Sequence, residues 1–338
     1  MTSPFLEALR GGTPATTPIW LMRQAGRYLP GYRALREHHD ILDIVRDPEL
    51  ALEATLEPVT KFGVDAGIVF SDIMTPLLGL GVDFRIDPGV GPVVDPPLRT
   101  GEGLARLGAF DAEASTGFVG ETIRRFRERS ATPILGFAAS PFTLACYLVE
   151  GHHERDFPAM RALLAQSEDL ATQLLRRLTS VTIDYLRMQE RAGADALQLF
   201  DTWAGVLSPA QYRRLVLPGL NEIIRSLGKP VIYFSTSSAH LLPEMAELPA
   251  AGISIDWRVS LSRARSLLGD RKALQGNLDP TVLLCSQEVM ERKALEVLQE
   301  LPRGDGYIFN LGHGVLPETD PQRVKQLVDF VHRNGLRR

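Results

Sequence analysis

Short apolar runs rich in β-branched residues alternate along the whole chain with longer stretches in which apolar residues return every three or four positions. Runs of the first kind are Ile19–Met22, Ala66–Ser71, Ile134–Ala138, Ala196–Phe200, Val231–Phe234, Ile253–Asp256, Ala273–Gln275 and Gly306–Phe309. Their apolar side chains are nearly continuous instead of alternating with polar ones, which predicts strands covered on both faces. Alternation with helices predicts parallel strands joined by crossover helices, hence an α/β fold. Eight such units predict one (β/α)8 barrel of the TIM type, a single domain over residues 1–338.

Helix starts are marked between the runs. Asp47-Pro48, Ser140-Pro141, Ser208-Pro209 with Gln211 behind it, Asp279-Pro280 and Thr319-Asp320-Pro321 each place a capping oxygen ahead of a proline in the first turn. A long helix is predicted over Glu168–Arg191, with Leu170, Leu174, Leu178, Val181, Tyr185 and Met188 forming an apolar stripe for core packing. The Gly- and Pro-rich segment Gly79–Pro97 reads as an irregular insertion after the second strand, inside the same domain.

In a parallel barrel the strand ends converge on one rim, where loops build the active site. The residues at those ends are Arg23, Asp72, Ser140, Asp201 with Thr202, Ser235, Trp257, Gly276 with Asn277, and Asn310 with His313. They are expected to share one cleft, with Trp20 and Trp257 lining the barrel.

Composition narrows the class. Charged residues make up 23% of the 338 positions and apolar ones 44%, ordinary values for a globular protein. The net charge of -4 argues against a general nucleic-acid or anionic-membrane surface, so any anion site is local. Residues Met1–Gly12 lack a secretory pattern and no uncharged run is long enough to span a bilayer, which predicts a cytoplasmic protein. Cys146 and Cys285 stand apart without a CxxC or a nearby His, signalling neither a disulfide framework nor a zinc site, and both read as packing. The pairs His38-His39 and His152-His153 have no third ligand and read as solvent-exposed.

The densest chemistry lies in Pro18-Ile-Trp-Leu-Met-Arg23-Gln24-Ala25-Gly26-Arg27-Tyr-Leu-Pro-Gly-Tyr32. Two arginines leave a strand end together, and Gly26 permits a tight approach, so two guanidinium forks can converge on carboxylates. This segment resembles the N-terminal signature of the uroporphyrinogen decarboxylase family. The resemblance continues in order through Phe70-Ser-Asp72-Ile, Gly136-Phe-Ala-Ala-Ser-Pro-Phe-Thr-Leu-Ala-Cys-Tyr147-Leu-Val-Glu-Gly151, Leu197-Gln-Leu-Phe-Asp201-Thr202-Trp-Ala-Gly205, Gln275-Gly-Asn-Leu-Asp-Pro280 and Asn310-Leu-Gly-His313-Gly.

That resemblance implies a distorted (β/α)8 barrel whose cleft binds uroporphyrinogen III, a flexible macrocycle with four acetates and four propionates, and converts the acetates to methyls. It implies that Arg23, Gln24, Ala25, Gly26 and Arg27 meet the substrate, that Asp72 lies beneath the pyrrole nitrogens, and that Tyr147, Thr202 and His313 complete the contacts. Asp72, Arg23 and Arg27 are the catalytic candidates. Thr202 stands where relatives often carry serine; both supply a hydroxyl. A homodimer with its clefts close together is implied as well.

No cofactor motif is visible, and no cofactor or metal is expected, so the substrate itself must accept the electron pair that carbon dioxide leaves behind. A carboxylate near a carbon-protonated pyrrole would stabilise that cation, and the neighbouring Arg23 and Arg27 are expected to favour the charged form of Asp72. The proton donor stays open: arginine is a poor general acid because of its high pKa, and His313 titrates in a suitable range, yet a lone histidine near the last strand is more often a structural hydrogen-bonder. Rival barrel chemistries fit less well. Corrinoid- or folate-dependent methyltransferases need soft zinc ligands, and Phe234-Ser-Thr-Ser-Ser-Ala-His240 offers no cysteine. Schiff-base aldolases need a lysine at a C-terminal strand end, but Lys61, Lys229 and Lys272 precede strands and Lys293 and Lys325 fall in helices. A non-catalytic tetrapyrrole carrier would use the same arginines and differs in needing no group at the reacting carbon.

Overall fold

The computed structural model describes residues 3–87, 90–154, 156–301 and 306–335. Its main sheet runs in the order β1 (Gly67–Ile68), β4 (Ile134–Ala139), β5 (Ala196–Phe200), β6 (Val231–Phe234), β7 (Gly252–Ser254), β8 (Ala273–Leu278) and β9 (Tyr307–Leu311), each pair parallel. Strands β4, β6, β7, β8 and β9 are buried at every position, as apolar runs covered on both faces must be.

Seven strands are regular; the eighth position is filled differently. Ile19–Met22 makes only a single parallel bridge, Ile19 to Phe309. The reason lies in who takes its N–H groups. Ile19 N–H donates to Asp65 Oδ2 at 2.7 Å, Leu21 N–H to Gln24 Oε1 at 3.1 Å and Met22 N–H to Asn310 Oδ1 at 3.0 Å, so side chains replace a neighbouring strand. Asp65 N–H returns a bond to the Ile19 carbonyl at 2.8 Å, and Gln24 Nε2 donates to the Ala66 carbonyl at 3.1 Å. The first segment thereby closes the barrel between β9 and β1 with almost no ladder, a distorted barrel in fact as well as in expectation.

Inside, the barrel holds a chain of hydrogen-bonded polar groups, although the Gln198 Nε2 at its end has no partner among the described residues. Gln275 Nε2 donates to Gln198 Oε1 and Ser254 Oγ, while Gln275 Oε1 accepts from Trp20 Nε1 at 2.9 Å. Trp20 is fully buried there, as expected of a residue lining the barrel. The helix Glu168–Arg191 forms over the predicted range and buries Leu174, Leu178, Val181, Tyr185 and Met188. Each such side chain contributes about 1.5–3 kcal/mol. Asp47, Ser208, Asp279 and Asp320 cap as the sequence suggests, whereas the Ser140 hydroxyl makes no capping bond.

The segment Gly79–Pro97 is not irregular. It contains an antiparallel hairpin, β2 (Phe84–Asp87) with β3 (Gly91–Val94); residues 88 and 89 of the segment lie outside those described. Val94 N–H donates to the Gly151 carbonyl at 2.6 Å and Leu98 N–H to the Leu148 carbonyl at 2.7 Å, so the far end of the helix Pro141–Glu150 supports the hairpin over the barrel mouth.

Candidate active site

A cavity of about 410 Å³ opens at the C-terminal ends of the strands, in the size range of small-molecule sites. Arg23, Ser71, Asp72 and His313 line it together with the rings of Phe137, Tyr147, Phe200, Trp203 and Phe234, Thr202, and Val90–Pro92 of the hairpin. The aromatic wall is rigid. Phe137 meets Phe200 edge-on at 5.5 Å and Phe200 meets Phe234 at 5.8 Å, T-shaped arrangements that ring quadrupoles favour.

Arg23 follows the closing segment in a left-handed conformation, φ 58. The turn is locked by Val315 N–H donating to the Met22 carbonyl at 2.9 Å, and the arginine stem lies directly against Gly314, where any Cβ would collide with it. Asp72 sits in the turn after β1. Its Oδ1 accepts the Met74 N–H at 2.8 Å, and Asp72 N–H donates to Thr75 Oγ1 at 3.3 Å. The second carboxylate oxygen, Oδ2, has no hydrogen-bond partner among the described residues.

Burial raises the Asp72 pKa, and this outweighs both the Met74 N–H and the attraction of Arg23, which lower it. Arg23 thus favours the charged form as expected, Arg27 is not among the groups that act on it, and burial prevails over both the arginine and the Met74 N–H. The carboxyl keeps some solvent access through the mouth while dense protein atoms surround it. The Tyr147 hydroxyl is pushed up to about 12 by burial. His313 falls to about 4, chiefly through burial and then through repulsion by Arg23, so at neutral pH it is an uncharged hydrogen-bonding group and a poor source of protons.

The uroporphyrinogen decarboxylase family model matches residues 1–334. The chain is 45% identical over 334 residues to uroporphyrinogen decarboxylase of Syntrophotalea carbinolica, covering 97% of each chain. It is 46% identical over 339 residues to the enzyme of that name from Streptomyces coelicolor, covering 99% of this chain and 95% of that one.

The chain belongs to the uroporphyrinogen decarboxylase family.

Among solved structures, a methyltransferase from Methanosarcina mazei shares the fold at a TM-score of 0.79 and 21% identity, covering 98% of this chain and 97% of that one. That likeness extends to architecture alone. His240, in the segment where a methyltransferase would place soft zinc ligands, instead bonds through Nε2 to the Leu207 carbonyl at 2.8 Å. Lys272, the nearest rival for Schiff-base chemistry, donates to the Leu248 carbonyl ahead of β7, at the rim away from the cavity.

Within this member of the decarboxylase family, Arg23, Ala25, Asp72, Tyr147, Thr202 and His313 line one cavity. Gln24 is buried, and its side chain is occupied in bridging Leu21 and Ala66. Gly26 sits in the turn beneath Arg23, too close to its carbonyl for an easy Cβ. Arg27 is exposed outside the lining, its carbonyl accepting from Arg33. Other strand-end residues fall short of the cleft. Ser140, Asp201, Ser235, Asn277 and Asn310 are buried and do not line it, since strand-end side chains alternate between the mouth and the interior. Trp257 is 37% exposed with the Arg258 guanidinium 4.2 Å from its ring, outside the main cavity. Cys285 is exposed and only Cys146 is core packing. The aromatic wall, Ser71, His153 and the hairpin residues were not singled out from the sequence as parts of the site. A period of apolar residues marks burial without saying which of them face an internal void.

Proposed function

We propose that this protein removes carbon dioxide from the four acetate side chains of uroporphyrinogen III to give coproporphyrinogen III, a carboxy-lyase reaction of tetrapyrrole and haem biosynthesis, without a cofactor and as one barrel domain. The observation that carries the mechanism is the unpartnered Asp72 Oδ2 facing a cavity that also holds Arg23 and an aromatic wall. Protonation of a pyrrole carbon makes a ring cation. The bond between the acetate methylene and its carboxylate then breaks, carbon dioxide leaves, and the electron pair forms an exocyclic double bond that neutralises the cation. A second proton converts that methylene to methyl, and loss of the ring proton restores the pyrrole.

Asp72 supports this sequence through electrostatics. The burial that makes its charge costly in the empty cavity also leaves its attraction to the ring cation poorly screened, so the interaction is stronger in the transition state than with neutral substrate. At about 4 Å and an effective dielectric near 20 the attraction is about 4 kcal/mol, on the order of a thousandfold in rate. An ionised aspartate accepts hydrogen bonds only, and pyrrole N–H groups only donate, so the same oxygen gathers the macrocycle. Arg23, and Arg27 reaching in from the rim, would take substrate carboxylates in forked geometry. Tyr147, Thr202 and neutral His313 supply hydrogen bonds, and the main chain over Gln24–Gly26 completes the contacts. Family membership also supports a homodimer in the cytoplasm; no helix among the described residues is long and apolar enough to cross a membrane.

Anaerobic incubation with uroporphyrinogen III and chromatography of the products tests the reading. Wild type is expected to release coproporphyrinogen, and Asp72→Asn to lose on the order of a thousandfold in kcat while its thermal transition persists. Near-normal turnover by the variant would remove Asp72 from the mechanism, and substrate binding without product would leave a carrier.

A further inference from the structure

The loop between the helices Pro141–Glu150 and Pro158–Gln166 adopts a backbone that its residues do not favour. Asp156 at φ 61 and Phe157 at φ 47 are consecutive left-handed residues, and neither is glycine. What this conformation achieves is the complete burial of the Phe157 ring, 4.8 Å from Trp203 and 6.0 Å from Tyr147. Over that base lies His153, its ring 5.0 Å from Trp203 at an interplanar angle of 31° and 6.0 Å from Phe157. His153 is exposed, lines the cavity, and neither of its ring nitrogens bonds to a described residue.

Its position gives this a meaning. Trp203 follows β5, three places round the barrel from the closing segment that carries Arg23 and four from β9, which precedes His313. The residues lining the cavity around Trp203 are otherwise Phe137, Tyr147, Phe200 and Thr202, so among the described lining residues His153 is the only side chain there able to carry a positive charge. Its neighbour His152 is engaged with Glu154 at 3.6 Å. A macrocycle with acid arms on every edge, held by Arg23 on one side, brings other carboxylates against this wall.

We infer that His153 is a specificity-determining residue that grips a substrate carboxylate across the cavity from Arg23, on a ring seat made by Trp203 and Phe157. The inference rests on the decarboxylase reading above. It concerns binding alone and assigns His153 no part in proton transfer.

Two variants separate a carboxylate contact from packing: His153→Phe keeps a ring against Trp203 without nitrogens, and His153→Lys restores a donor without the ring. Steady-state decarboxylation of uroporphyrinogen III gives KM and kcat, and quenching of the fluorescence of the octacarboxylate porphyrin gives Kd without turnover. The Phe variant is expected to raise both KM and Kd about tenfold with kcat within about twofold, and the Lys variant to return both close to wild type. Unchanged KM and Kd in the Phe variant, or a Lys variant as weak as the Phe variant, would overturn the inference. Absence of turnover by wild type would overturn the decarboxylase reading instead, and the porphyrin Kd would still report on His153.

Discussion

Gly314 shows how a residue without chemistry governs one that has it. The arginine stem occupies the space a Cβ would need, so Gly314→Ala must displace the Arg23 side chain from its present place. With the fold retained, kcat/KM is expected to fall on the order of tenfold to a hundredfold, because small displacements of a positioned group are costly. A wild-type value in steady-state assays would show that Arg23 need not hold this place. At this scale the sequence was legible where chemistry and motif coincide. Arg23 and Asp72 stand in segments whose polar residues interrupt apolar runs, and both reach the cavity. His153 was not legible, since an exposed-looking pair of histidines carries no sign of the Trp203 ring that a different strand brings to it. Nor was the direction of the Asp72 pKa, which depends on burial that no linear spacing records.

Between elements, the strongest tie beside the cavity is the Asp201 carboxylate at the end of β5. It is fully buried and has no cation; Oδ1 accepts from Thr143 Oγ1 at 2.9 Å and Oδ2 from Tyr233 OH at 2.7 Å. A helix start and β6 are thereby fastened to the strand end from which Thr202 and Trp203 enter the site. Burial raises the Asp201 pKa and those two hydroxyls oppose it. Tyr233→Phe deletes one of them and leaves a buried carboxylate short of a donor, which is expected to cost about 1–3 kcal/mol, read as a lower urea midpoint. A variant as stable as wild type would mean that Asp201 needs no such support. Helices and central strands were readable from periodicity and caps. The hairpin β2–β3 was not, because its exposed Val90 and half-buried faces lack the continuous apolar signal of the barrel strands.

For the whole molecule, the eightfold rhythm predicted the barrel, but not that its first segment would join by side chains. Asp65 is the hub: it bonds twice with Ile19, and its Oδ2 also meets His332 Nε2 of the last helix at 2.8 Å. The Asp65 bond raises the His332 pKa above its usual 6.5. The pair's contribution is thus complete below about pH 6.5 and is lost as pH rises through the higher folded value. Both groups are partly exposed, so it is worth about 1 kcal/mol or less. The stability advantage of wild type over His332→Gln is expected to shrink as the pH rises above about 6.5, measured by thermal melts in matched buffers. An advantage independent of pH would detach the pair from folding.

Closure of this kind also sets a time order for synthesis. The turn that aims Arg23 depends on Asn310, Gly314 and Val315, so while the chain is still emerging from the ribosome this turn lacks its distant partners, although Ile19 and Gln24 can already meet Asp65 and Ala66. A shortened nascent chain ending before β9 lacks all three of the contacts that hold the guanidinium stem in this turn.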